Sequence, residues 1–327
     1  IYTGEDTLSL HDALPISLQE IADRSGDAAA VGASSNTIRA GTSLFTSTYR
    51  STDWSGDVSK VVLDPATGKV STDQSAGWVS KINTTFDKRK IYTWNSGAKD
   101  FTYSNLTAAQ KTTFDNAGTT YGSTGQKLFD YIRGGPDLGI FRPRPTNKPF
   151  GDFINSAPEY LKEGEDEGYV YLPAHTPGKG DDNPSDGYQA YLAAKKSRQE
   201  MVYIGGNDGM FHAFNATTGA EEWAYVPNGV INNLPLLADK SYAHRYYVDG
   251  TPITADYYSG GWKTAVIGTT GAGGRSVFAI DVTTPLASQM GTNKILWEVN
   301  STNDTDIGYT IGRAQVGRLP NGNWVAI

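Results

Sequence analysis

The chain has 327 residues, enough for one large domain or two moderate ones with a sizeable core. Its 37 Gly, 19 Tyr and 7 Trp, against only 19% charged residues, suit a turn-rich β protein better than a helical one. A net charge of −7 argues against nucleic acid and offers no basic patch to a membrane surface. The absence of cysteine excludes disulfides, thiolate zinc sites and cysteine nucleophiles, and no apolar run approaches the roughly 20 residues of a transmembrane helix.

Residues 1–16, IYTGEDTLSLHDALPI, have no clean period, no basic n-region and no apolar h-region, so they do not read as a signal peptide. They resemble a translated sequencing-adapter junction, and non-native junction sequence is the expectation for them. The domain is therefore expected to occupy residues 17–327, with an insertion-rich segment at about 91–200. Ser17 and Glu20 form a capping-box pattern for a short helix. Residues 26–35 are small and polar, as in a linker or extended segment. Residues 45–62 alternate as strands do, and LDPATG at 63–68 adds turn chemistry with Trp78 beyond it.

Between residues 91 and 133 the texture changes, and two short helices are expected there, inserted between strands. Thr107 and Gln110 form a second capping box leading into Phe114, and Leu128, Phe129 and Ile132 share a helical face before Gly134 and Gly135. FRPRP at 141–145 is extended, because each Arg precedes a proline. Its arginines read as solvated braces of a loop rather than as an anion site. GDFINSAPEY at 151–160 supplies a turn, a polar Asn-Ser pair and a strand opened by proline. Residues 162–187 form an acidic, Gly/Pro-rich loop, and 188–198 a short helix.

The clearest stretch is 201–228, MVYIGGNDGMFHAFNATTGAEEWAYVPN. Val202, Tyr203 and Ile204 make a buried strand, and Asn207, Asp208 and Gly209 a hairpin turn. Residues 210–214 make a second strand, 215–219 a second turn and 222–226 a third strand, the material of one propeller blade. Further on, 242–251 reads as a strand and turn, 262–268 as a buried strand, and Gly271 to Gly274 as a tight turn. A strand at 276–282 ends in a turn where Pro285 stands in place of glycine, and 311–327 form a hairpin around Pro320, Asn321 and Gly322.

Ala213, Asn215, Thr218, Gly219 and Trp223 resemble the quinoprotein-type repeat A-x-D-x-x-T-G-x-x-x-W, with Asn for Asp. In physical terms Asn215 bonds the turn backbone, Gly219 accepts a positive φ, and Trp223 is a packing plate. The turn at Asp64 is a second copy. From Asp64 to Asn215 is 151 residues and from Asn215 to Asp281 is 66, against roughly 40–45 per blade in a clean propeller. Large insertions account for the excess. The fold expected is all-β, an incomplete quinoprotein-like β-propeller with short helical insertions.

Taken together, AAAVGASS with TSLFTSTYRSTDWSGDV, LFDYIRGG with FRPRP, GDFINSAPEY, VYIGGNDGMFHAFNATTGAEEWAYVP, YYVDGTP and GTTGAGGRSVFAIDVTTP resemble the PilC/PilY family of type IV pilus biogenesis proteins and tip-associated adhesins. The resemblance implies that family's C-terminal propeller. It implies a non-enzymatic role in pilus assembly, retraction control and adhesion, in an exported protein at the bacterial cell surface, outer membrane or pilus tip. Pilins or minor pilins and host-surface receptors are the implied partners. The family's N-terminal adhesion module is not in this sequence. The resemblance leaves calcium to the full-length protein, through a downstream D-x-D-x-D-G loop.

No residue is assigned a catalytic, cofactor-binding or metal role. Asp182 to Gly187 has Pro184 where a calcium loop needs an oxygen, and Asp304 to Asp306 lacks the remaining ligands, so both read as solvated acidic loops. His175, His212 and His244 are dispersed, and His212 reads as a packed strand histidine. A quinone-dependent dehydrogenase is the enzymatic alternative, disfavoured because the best-known of those sites place a cysteine pair over the quinone. A non-catalytic scaffold for outer-membrane protein assembly is the other. Tyr92, Tyr103, Tyr121, Tyr257, Tyr258 and Trp94 are candidate surface aromatics, with no binding role assigned.

Overall fold

The computed structural model describes residues 27–33 (by backbone), 43–62, 64, 67, 77–78, 86–144, 151–172 and 187–327. The junction expected at 1–16, the capping box at Ser17 and the Asp182 turn up to residue 186 lie outside them. Among the described residues three larger sheets and a two-stranded one follow one another along the chain. The first is an antiparallel meander of β1 (Asp27–Ala33), β2 (Ser43–Arg50) and β3 (Ser55–Val62). The second contains β4 (Ile91–Trp94), β5 (Ala98–Asp100), β6 (Glu159–Leu161), β7 (Met201–Gly205), β8 (Phe211–Asn215) and β9 (Glu221–Val226), in the order β5-β4-β9-β8-β7-β6. The third is the meander β10 (Ile253–Tyr258), β11 (Trp262–Thr269), β12 (Ser276–Asp281) and β13 (Ile295–Asn300), followed by the hairpin β14 (Val316–Arg318) and β15 (Trp324–Ala326). Successive four-strand meanders are propeller blades, and they do not close into a ring among the described residues.

Every residue of β7 and β8 is buried. Strands covered on both faces read as continuous apolar runs, which is why VYIG and FHAF show no alternation. The blades are joined through their tryptophans. Asn215 Oδ1 accepts from the amides of Thr217 and Thr218 at 3.0 and 3.1 Å, and Gly219 closes that turn at φ +73°. Trp78, from the segment after the first sheet, lies against the turn, so a Cβ at Gly219 would stand 2.3 Å from its Cδ1. One repeat later, the fully buried Trp223 packs on Tyr203 and Phe211, and its Nε1 donates to the Pro285 carbonyl at 2.9 Å. Each tryptophan thus reaches the turn of the following repeat. Because this second contact runs through a carbonyl, proline serves at 285 as well as glycine would. Gly219→Ala should cost about 1–3 kcal/mol through overpacking and an unsuitable φ, read as a lower urea midpoint at unchanged m-value.

The helical insertion forms as its capping boxes dictate. In α1 (Ala108–Thr120), the Thr107 side chain accepts from the Gln110 amide while the Gln110 side chain accepts from the Thr107 amide. The short α2 (Gly125–Ile132) buries Leu128, Phe129 and Ile132, with Phe129 packed on Phe101 and Phe114 at 4.7 and 5.5 Å. Both helices pack on a 3-10 helix, Asn228–Ala238, in the loop after β9. The arginines of FRPRP are not free in solvent. Arg142 lies over the Tyr242 ring at 4.2 Å and Arg144 over Tyr131 at 3.7 Å, stacking that fastens the insertion to the blade loop.

Several expectations need correction. The two helices read between strands in 91–133 follow β4 and β5, but the pairing of β4 was not foreseen: it runs parallel to β9 with Thr93 opposite Val226. Of the two readings of residues 26–35, linker or extended segment, the second is the one found: residues 27–33 form β1. The strand expected in 242–251 is a loop, because its amides are committed elsewhere: Tyr247 donates to Asn207 Oδ1 and Asp249 to the Thr270 carbonyl. The sheet there is instead completed by β10, which was not anticipated. The helix α3 (Tyr188–Lys195) and the terminal hairpin, with Gly322 at φ +89°, form where the sequence placed them. No helix among the described residues is long and apolar enough to cross a membrane.

Candidate functional site

Polar side chains converge where the GDFINS segment passes between the second and third sheets. Asn155 donates through its amide and side chain to the Asp249 carboxylate. Ser156 donates to the Gly250 carbonyl at 3.0 Å and accepts from the Gly205 amide at 2.9 Å. Asn207, at the hairpin turn, donates to Asp152 at 2.6 Å and accepts from the Tyr247 amide at 2.9 Å. His244 Nε2 faces both Asp152 oxygens at 3.1 and 2.9 Å. Burial pushes the Asp249 carboxyl above its ordinary value even though Asn155 bonds it. Three segments that are distant in sequence therefore spend their polar groups on one another, and the knot locks adjacent blades.

Beneath it runs a buried chain of charges. Arg89 makes a bidentate contact with Glu221, Nε to Oε2 at 2.7 Å and Nη2 to Oε1 at 2.8 Å. Glu221 Oε1 faces His212 Nδ1 at 2.9 Å, and His212 Nε2 faces Asp208 Oδ1 at 3.2 Å. With a carboxylate at each ring nitrogen, His212 satisfies both contacts only as the imidazolium. Burial alone would lower its pKa, but Asp208 and Glu221 outweigh burial and the net direction is up. For Glu221 burial likewise opposes the charge, yet Arg89 and His212 hold it at about 2. All four groups are sealed from solvent, so the chain cannot present an acid, base or nucleophile to a substrate. Its chemistry is to pin β8, β9 and their turn to the strand entering at β4. Of the four, the sequence singled out only His212, as a packed histidine, and so it is placed; Arg89, Asp208 and Glu221 carry no local signal.

The Asp304 turn is exposed, with Asp304 Oδ1 accepting the Asp306 amide at 3.0 Å. Among the described residues no group of three or more His, Asp or Glu is placed to hold a metal. Of the candidate surface aromatics, Tyr92 is buried, while Trp94, Tyr103, Tyr121, Tyr257 and Tyr258 are half-covered. The strongly exposed apolar side chains are others, Tyr171, Tyr309 and Ile311, which carried no distinguishing pattern in the sequence. A cavity of about 360 Å³ lies between α3 and the Pro285 turn. Beside it, Lys195 pairs with Asp256, which also accepts from Tyr188 at 3.0 Å, and these bonds fasten α3 to the third sheet.

Repeated antiparallel blades, tryptophans seated on the next repeat's turn, and an interior committed to structural bonds define a quinoprotein-type β-propeller. The chain belongs to the PilY1 β-propeller family, whose domain model matches residues 150–327. A type IV pilus biogenesis factor PilY1 homolog of Xylella fastidiosa is 35% identical over 95% of this chain and 23% of its own. The type IV pilus biogenesis factor PilY1 of Pseudomonas aeruginosa UCBPP-PA14 is 35% identical over 84% of this chain and 24% of its own. The chain thus spans about a quarter of the length of these curated relatives. The crystal structure of the Pseudomonas aeruginosa PilY1 C-terminal domain aligns with 51% of this chain and 30% of its own, at 34% identity and a TM-score of 0.39.

Proposed function

We propose that the chain is the propeller segment of a type IV pilus biogenesis factor and that it works by binding, without catalysis. Membership of the PilY1 propeller family, across the segment containing the GDFINS knot and two blades, carries the proposal. The sealed charge chain is in keeping with it, since the polar groups richest in chemistry are consumed in holding blades together. In this reading the protein acts at the bacterial cell surface, the outer membrane or the pilus tip. Its partners there are pilins or minor pilins during assembly and control of retraction, and host-surface receptors during adhesion. No residue of the chain is given a catalytic, cofactor or metal role; calcium, if the full-length protein uses it, belongs to other residues.

Deletion of the complete gene should reduce surface pili and twitching, and adherence to host cells should fall with them. Normal piliation in the deletion strain would contradict the biogenesis role. The dehydrogenase alternative has a separate test. Purified full-length protein supplied with pyrroloquinoline quinone, calcium and short alcohols should not reduce an artificial electron acceptor. Turnover in that assay would overturn the non-catalytic reading.

A further inference from the structure

The β2–β3 hairpin turns through residues 51–54, and its last loop residue, Trp54, has φ +53°. That is the left-handed region, which a four-residue hairpin loop ordinarily fills with glycine or asparagine. A bulky aromatic held there is strained, and such strain persists where the surroundings impose it and clusters at functional sites. The surroundings here are specific. The indole lies on the His244 ring, with centroids 4.0 Å apart and planes at 31°. His244 is fixed in turn by the buried Asp152, which Asn207 also bonds. Tyr246 stands edge-on to His244 at 5.2 Å and is 40% exposed. His244, held in the blade knot, is thus the common centre of two aromatic side chains that remain partly open to solvent.

We propose that the Trp54–His244–Tyr246 surface is a binding platform for a neutral carbohydrate, with the C–H face of a pyranose ring laid on the exposed aromatic surface. An aromatic ring offers a large apolar face at low entropic cost and carries polar atoms at its rim, the complement of a sugar's apolar face and hydroxyl edge. Asp53 and Arg245, exposed on the same two turns, supply acceptors and donors for hydroxyls. An added peptide strand fits less well, because two of the main-chain donors at the tip are spent: Trp54 N bonds the Arg50 carbonyl at 2.8 Å and Ser55 N the Asp53 carboxylate at 3.0 Å.

The test uses the purified full-length protein and four probes: methyl β-galactoside, methyl α-mannoside, N-acetylglucosamine and lactose, each at millimolar concentration. Saturation-transfer NMR should show transfer to the ring C–H protons of at least one of them. Trp54→Gly, which suits the backbone, should keep the parent's melting temperature while weakening that sugar at least tenfold. Tyr246→Ala, at an exposed ring, should weaken it several-fold and reads the same contact should the glycine variant melt early. No transfer to any probe, sugar binding that survives both substitutions, or binding only of an extended peptide would each overturn the proposal.

Discussion

Glu221→Ala is expected to destabilise the protein by about 3–5 kcal/mol, the usual loss when one partner of a buried ion pair is removed. The magnitude follows from what stays behind. Arg89 would lose both contacts to that carboxylate while those to the Arg133 carbonyl and the Met210 sulfur stay, and His212 would lose one of its two carboxylates. Glu221→Gln, which preserves shape, should lose a large part of the same amount, because the missing element is charge. Urea denaturation of both variants checks this; a loss under 1 kcal/mol would show that water enters and solvates the pair. The pH dependence has two flanks. Glu221 is held at about 2, below the roughly 4.3 of an unfolded chain, so its contribution is present above that value and lost as pH falls through about 2. The His212 pKa is raised, so its contribution is full below roughly 6.5 and lost as pH rises through the folded value. Stability should therefore be greatest between these limits, and Glu221→Ala should flatten the acid flank.

Trp223→Ala should cost a comparable amount, about 3–5 kcal/mol, the range for deleting a large buried aromatic side chain. The side chain is wholly buried among Tyr203 and Phe211 and is the donor to the Pro285 carbonyl. Trp223→Phe isolates the second part: most of the packing is kept, the donor is lost, and about 1–3 kcal/mol should go with an unsatisfied buried acceptor. Because the contact joins one repeat to the next, the third sheet should show faster amide hydrogen exchange in Trp223→Ala than in the parent. Any effect of this substitution on piliation should follow the amount of folded protein, with no separate functional defect.

The blade at 201–226 was legible because everything that defines it is local. Its turns carry Asn207, Gly209, Asn215 and Gly219, and its strands are too apolar to lie on a surface. The parallel strand β4 was not legible. IYTW is four residues long, and its partner lies far along the chain, with Thr93 Oγ1 donating to the Val226 carbonyl across 133 residues. The loop at 242–251 misled for a related reason. Its apolar and polar residues suggest a strand, but its hydrogen bonds go to Asn207 and Thr270, which local pattern cannot foresee. The charge chain was legible in only one member, His212. Asp208 and Glu221 look like ordinary turn and strand-start acids until the hairpin brings them to the two sides of one imidazole ring. The arginines at 142 and 144 read as solvated braces and are instead stacked on Tyr242 and Tyr131; what they stack on depends on the blade loop and on α2.

The most direct test of a pilus-biogenesis role removes the part of the propeller that the family model matches. An in-frame deletion of the codons for residues 150–327, made in the full-length gene, should leave a detectable truncated protein and abolish surface pili and twitching to the extent of the whole-gene deletion. Normal pili and normal twitching in that strain would contradict it.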